Sequence, residues 1–175
     1  MGINTLKESI KDYGRDVRLN LESVLSPEGA PGLTETQIWG IALASAYATK
    51  NAQVAGAVAE DASAKLGPEV IEAAKAAATI MAMNNVYYRF THLAEDAEFA
   101  KMPARLRMNI IGKPGIAKID FELMSLAVSA VEGCGKCITA HVAEARKAGV
   151  SNEGIQSAVR IAAVLNAAAQ AVIIG

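Results

Sequence analysis

Apolar residues recur at steps of three and four along most of the chain, and breaks in that recurrence divide it into successive helices. Leu6, Ile10, Tyr13, Val17, Leu21 and Val24 stand at such steps among charged residues, which predicts one amphipathic helix from Ile3 to about Val24 with a stripe that covers a core. Ser26-Pro27-Glu28-Gly29-Ala30-Pro31-Gly32 interrupts it. Thr34 with Gln37 offers a capping box for a second helix to about Lys50. Further helices are predicted from near Gln53 to Gly67-Pro68, and from Glu69 to about Asn85 through Val70, Ile71, Ile80 and Met81. The segment from Asn84 to Leu93, with Tyr87, Tyr88, Phe90 and His92, has no clear period. From Phe99 to Lys118, Pro103, Gly112, Pro114 and Gly115 punctuate Leu106-Arg107-Met108-Asn109-Ile110-Ile111, a long connection with short helical pieces that closes over the core. Asp120 is expected to cap a helix from Phe121 to about Val131. Another reaches Gly149, and Ser151 opens a last one to Val172 or beyond.

Laying Ser45-Ala46 on Ser129-Ala130 also places Val58-Ala59-Glu60 on Val142-Ala143-Glu144, a shift of 84 residues. At a shift of 82, Leu66-Gly67 meets Ala148-Gly149 and Met83-Asn84 meets Leu165-Asn166. Residues of about 34–85 and 118–167 therefore read as two related halves, each helix, helix, turn, helix. The 175 residues suit one domain, and 52% hydrophobic with only 5% aromatic residues favours close-packed helices over sheets. An all-α single helical domain is expected. Where the second half has Cys134, Cys137 and His141, the first has Lys50, Gln53 and Ala57, so only the second half carries chemistry.

Charge narrows the partners. Seventeen Lys and Arg nearly balance eighteen Asp and Glu with no basic run, so no nucleic-acid surface is expected. No stretch reaches roughly 18 uninterrupted apolar residues; Ile161 to Gly175 is broken by Asn166 and Gln170 and reads as a buried helix, with no membrane association. Charges enter from Lys7 onward without a signal-peptide block, so a cytoplasmic location is expected.

Both cysteines and one of the two histidines fall within Glu132-Gly133-Cys134-Gly135-Lys136-Cys137-Ile138-Thr139-Ala140-His141. At steps of three and four they project from one face of one helix. Gly133 and Gly135 let the chain turn into that helix, leaving Cys134 in its first turn, where free N–H groups and the helix dipole favour a thiolate. Cys137 is activated differently: His141, one turn on, takes its proton or pairs with its thiolate. In a reducing compartment such a pair is seldom a permanent staple. A zinc-binding structural site is an alternative, with Glu122, His92 or water as fourth ligand; inert buried thiols are another. Glu122 either faces His141 across an antiparallel pair of helices and orients it, or is an ordinary first-turn glutamate. Glu132 reads as a solvated helix-end charge, Lys136 as exposed or as lowering a thiol pKa, His92 as structural, and the methionines as core fillers.

Leu43-Ala44-Ser45-Ala46, Met83-Asn84-Asn85-Val86-Tyr87-Tyr88-Arg89, the Leu106–Ile111 run followed by Lys113-Pro114-Gly115, and Phe121-Glu122-Leu123 with Cys134, Cys137 and His141 give the chain a resemblance to the alkyl hydroperoxidase D family of the carboxymuconolactone decarboxylase-like superfamily. The resemblance spans nearly the whole chain. It implies an all-helical homotrimer that reduces organic hydroperoxides, with no bound cofactor or metal. Its co-substrate would be a dihydrolipoamide-type dithiol, carried by a lipoyl-bearing dihydrolipoamide acyltransferase and recharged by dihydrolipoyl dehydrogenase. It also implies regeneration of the peroxiredoxin alkyl hydroperoxide reductase C. Carried onto this chain, Cys137 is the peroxidatic thiol that becomes a sulfenic acid, Cys134 supplies a proton and resolves it as a disulfide, and Glu122 and His141 form the proton relay. The dipole argument alone would have favoured Cys134 as nucleophile, but His141 lies one turn from Cys137 and two from Cys134. Some members have histidine where this chain has Lys136. The alternative from another class is a non-peroxidatic thiol-disulfide electron adaptor.

Overall fold

The computed structural model describes residues 2–175. Among the described residues it contains helices and no strand, the all-α class expected from the sequence.

The predicted first helix is two helices, α1 (Ile3–Ser9) and α2 (Arg15–Val24), separated by a 3-10 turn over Asp12–Gly14. Ile10 leaves helical geometry at ψ 116° and is fully buried. A Cβ on Gly14 would lie 2.3 Å from Ile10 Cγ2, so glycine is what lets the chain fold back over that side chain. Arg18 Nη1 donates to the freed Ile10 carbonyl at 2.6 Å. Tyr13, assigned by its spacing to the apolar stripe, is instead 55% exposed and donates its hydroxyl to the Ala171 carbonyl at 2.7 Å.

α3 (Glu35–Ala48) opens with the predicted capping box, Gln37 N to Thr34 Oγ1 at 3.2 Å and Thr34 N to Gln37 Oε1 at 3.0 Å. α4 (Ala52–Ser63) is capped by Asn51. α5 (Pro68–Leu93) runs through the aromatic segment without a break at Asn85. There the usual pattern is inverted, because Val86 and Phe90 face outward while Asn84 and Asn85 are buried; periodicity of hydrophobic residues is therefore blind to this helix's second half. Two short helices, α6 (Ala97–Lys101) and α7 (Asn109–Gly112), punctuate the long connection. α8 (Lys118–Glu132) begins earlier than predicted, and Asp120 does not cap it. Ala117 holds that position, while Asp120 Oδ1 accepts from Gln37 Nε2 at 2.7 Å and ties α8 to α3. α9 (Gly135–Lys147) and α10 (Asn152–Ile174) complete the chain, with Ser151 Oγ accepting from Gly154 N at 3.1 Å.

The centre of the fold is α8. Every residue from Phe121 to Ser129 is buried, as a helix surrounded on all sides requires. α3 and α8, the first helices of the two sequence halves, pack together, and α5 and α10, the third helices, pack against both. α10 has the length and apolarity of a membrane span, with a mean hydropathy of 1.7 over its best 18-residue window. Yet Ile155, Ala158, Ile161, Leu165 and Ala168 are buried on this helix, which packs on α2, α3 and α8. What this packing positions is the second face of α8, against which α9 folds back.

Candidate redox site at the start of α9

The turn from α8 to α9 takes two residues. Gly133 adopts φ +71°, a left-handed conformation that glycine enters without steric cost. Gly133 N donates to Ala130 O at 3.3 Å and Cys134 N to Ser129 O at 3.1 Å, the paired bonds of a Schellman ending. Glu132 is not the solvated charge its position suggested. Arg89 Nη1 of α5 donates to its carbonyl at 2.5 Å, and Lys50 Nζ pairs with its carboxylate at 2.9 Å.

Cys134 stands just before the first turn of α9 rather than within it. Its Sγ accepts from Cys137 N at 3.2 Å, the role a serine or threonine oxygen plays at an N-cap. The consequence drawn from the sequence is unchanged, since that N–H and the positive helix end favour a thiolate on this sulfur. Cys134 and Cys137 are joined as a disulfide with Cα atoms 5.3 Å apart. Their exposures differ: Cys134 is fully buried, whereas Cys137 is 7% exposed.

Glu122 lies in the second turn of α8, not the first, and its Oε2 is 2.7 Å from His141 Nδ1. Both side chains are nearly closed off, at 6% and 12% exposure. A carboxylate accepts only, so Nδ1 carries the hydrogen and Nε2 is left to take a proton; the tautomer follows from the partner. On the outer side of the same helix, Lys118 Nζ bonds Glu144 at 3.2 Å. That hydrogen bond, with the nearby Lys147 charge, holds the Glu144 carboxyl below its usual range, so this strap between α8 and α9 stays ionised at neutral pH.

Cys137 and His141 border a cavity of about 250 Å³. Met81 and Tyr88 of α5 and Met108 and Ile111 of the long connection form its apolar walls, so the connection does close over this part of the core. Tyr88 Oη lies 3.9 Å from Met108 Sδ. Lys136 leans towards α5, its Nζ 3.4 Å from Thr91 Oγ1 and 5.4 Å from the Tyr88 ring centre. His92 is not brought into this arrangement; it lines a separate surface groove with Glu95 and Asp96. Among the described residues no three His, Cys, Asp or Glu side chains are grouped to hold a metal, and the two thiols of the zinc alternative are joined to each other as a disulfide. Sequence reasoning passed over Asn84, which also lines the cavity. Two consecutive asparagines inside a helix, both poor helix formers, were the available signal.

Taken together, a dithiol–disulfide pair at a helix start, with a carboxylate-oriented imidazole one turn away beside an apolar cavity, define an all-helical thiol–disulfide protein. The comparisons narrow this further. Residues 97–173 match the carboxymuconolactone decarboxylase family. Over 172 residues, 98% of this chain and 97% of the relative, the sequence is 54% identical to the alkyl hydroperoxide reductase AhpD of Coxiella burnetii. It is also 54% identical to the AhpD proteins of Hyphomonas neptunium, over 97% of this chain and 93% of the relative, and of Rhodospirillum centenum, over 97% and 89%. The chain belongs to the AhpD family within the carboxymuconolactone decarboxylase group.

Proposed function

We propose that this protein is an antioxidant thiol peroxidase that reduces organic hydroperoxides. The observation that carries the reading is the cavity at which Cys137 and the Glu122-oriented His141 meet, with Cys134 placed to close a disulfide. His141 Nε2 takes the Cys137 proton. The thiolate then attacks the terminal peroxide oxygen, the O–O bond breaks, and Cys137 becomes a sulfenic acid while an alkoxide departs. Cys134 gives its proton to the alkoxide, releasing the alcohol. Its thiolate attacks the sulfenic sulfur and forms the disulfide, and the hydroxide expelled takes the proton from His141 as water.

Recycling calls for a dithiol. Cys134 is fully buried and Cys137 borders the cavity, so an incoming thiolate attacks Cys137 and expels Cys134, whose negative charge is received by the start of α9. A dihydrolipoamide-type dithiol then releases itself by intramolecular attack at high effective concentration. In this reading the dithiol comes from a lipoyl-bearing dihydrolipoamide acyltransferase served by dihydrolipoyl dehydrogenase, in the cytoplasm, and the peroxiredoxin alkyl hydroperoxide reductase C is a second electron acceptor. Homotrimer assembly is part of the same proposal; the exposed Val86, Phe90, Leu93 and Met102 are apolar surface that self-association would cover.

The test is coupled turnover. With NADH, dihydrolipoyl dehydrogenase, a lipoylated acyltransferase domain and cumene hydroperoxide, the protein is expected to drive NADH oxidation with no peroxiredoxin present. Oxidation that starts only when the peroxiredoxin is added would instead make the protein an electron adaptor.

A further inference from the structure

Asn84 is the one polar group of the cavity wall contributed by α5 that no part of the catalytic sequence above uses, apart from the Tyr88 hydroxyl held at Met108. Its side chain is buried, at 4% exposure, and its Oδ1 has no hydrogen-bond partner. Its neighbour Asn85 supplies the contrast. Asn85 is fully buried too and its Nδ2 is also unpartnered, but its Oδ1 accepts from Ser129 Oγ at 2.9 Å and links α5 to α8, away from the cavity. One asparagine therefore contributes a bond between helices. The other places a carboxamide with an unpartnered oxygen in the wall of the cavity that Met81, Tyr88, Ile111 and Cys137 also line. A buried carbonyl oxygen without a partner is destabilising in the empty protein; among the described residues Ser45 Oγ, Asn85 Nδ2 and Ser125 Oγ are unpartnered too, and what sets Asn84 apart is that it lines the cavity.

We propose that the Asn84 carboxamide is the hydrogen-bonding group that seats the hydroperoxide against Cys137, and that the apolar walls select one bearing a carbon substituent of modest size. The inference rests on the peroxidase reading and deepens it. A hydroperoxide has one O–H donor, on the terminal oxygen, and an acceptor in the inner oxygen. A carboxamide has both complements on one edge. Oδ1 accepts from the terminal O–H and fixes that oxygen for attack by sulfur, while Nδ2–H donates to the inner oxygen, where negative charge gathers as the O–O bond breaks. Asn84 exchanges no proton and forms no covalent bond; the sulfur still gains the terminal oxygen and the alkoxide still leaves. The carbon substituent lies against Met81, Tyr88, Met108 and Ile111, in a space of about 250 Å³.

The test separates seating of the peroxide from reactivity of the sulfur. Reduced wild-type, Asn84→Leu and Asn84→Ala proteins are mixed with cumene hydroperoxide by stopped flow, and in parallel with iodoacetamide, which reports the Cys137 thiolate without needing a peroxide seat. Both variants are expected to lose roughly tenfold or more in the rate constant for hydroperoxide, with alkylation and its pH profile unchanged. Asn84→Leu, which removes an unsatisfied polar group at similar volume, is expected to melt no lower than wild type. If Leu at this position prevents folding, the Ala variant decides. Unchanged hydroperoxide rates, or alkylation that falls in step with them, would overturn the assignment. A wild-type protein that fails to react with the hydroperoxide would overturn the peroxidase reading and this one with it, whereas a reactive wild type with equally reactive variants sinks this inference alone.

Discussion

Cys137→Ser is expected to abolish reaction with hydroperoxide, while Cys134→Ser is expected to consume one equivalent and stop. The asymmetry follows from placement. A serine hydroxyl at 137 is not ionised by an imidazole at neutral pH and cannot accept the peroxide oxygen as sulfur does. Cys134, though better stabilised as a thiolate by its place at the start of α9, is fully buried and has neither a cavity nor a base beside it. With serine at 134 the sulfenic acid on Cys137 has no thiol to condense with, so it persists long enough for a dimedone-type reagent to add to it. Peptide mapping is expected to place the adduct on Cys137. An adduct on Cys134 in the Cys137→Ser protein, or on neither cysteine in either variant, would contradict the assignment.

His141→Phe is expected to slow hydroperoxide attack by about 10² to 10⁴ at neutral pH, the usual weight of a positioned general base. The deficit should shrink as the pH rises past the ordinary thiol pKa of about 8.5, because hydroxide then supplies the thiolate that the imidazole no longer prepares. A loss of equal size at both pH values would mean that the ring is needed for shape and not for its base. The variant also strands the Glu122 carboxylate, which is buried against the ring it held at 2.7 Å, so its melting temperature should fall. Rates are therefore compared at a temperature where circular dichroism confirms the fold.

The helices and the thiol site were legible in the sequence for one reason: spacing along a helix is geometry. Cys134, Cys137 and His141 had to share a face, and the tight Gly133 turn returned α9 along α8 far enough for Glu122 to meet His141. What escaped depended on tertiary packing. The kink at Ile10 needs Gly14 to pass over a side chain whose spacing alone reads as one more step in a helix. Asp120 has the chemistry of a cap, but the approach of α3 gave it Gln37 as a partner instead. The second half of α5 turns its polar residues inward and its apolar ones outward, so a rule that buries hydrophobic residues misreads it, and with it the wall of the cavity. Inverted patterning of this kind is what a functional surface adds to a fold.

In the proposed mechanism the Cys134–Cys137 pair reduces a hydroperoxide unaided. The most direct measurement is the intact mass and free-thiol count of fully reduced protein before and after one equivalent of an alkyl hydroperoxide, with no recycling partner present. Loss of two hydrogens and of both thiols is expected, with the new disulfide mapped to Cys134 and Cys137 and one equivalent of alcohol released. Unchanged mass and two surviving thiols would contradict it, and would leave the pair only an exchange of electrons with another protein.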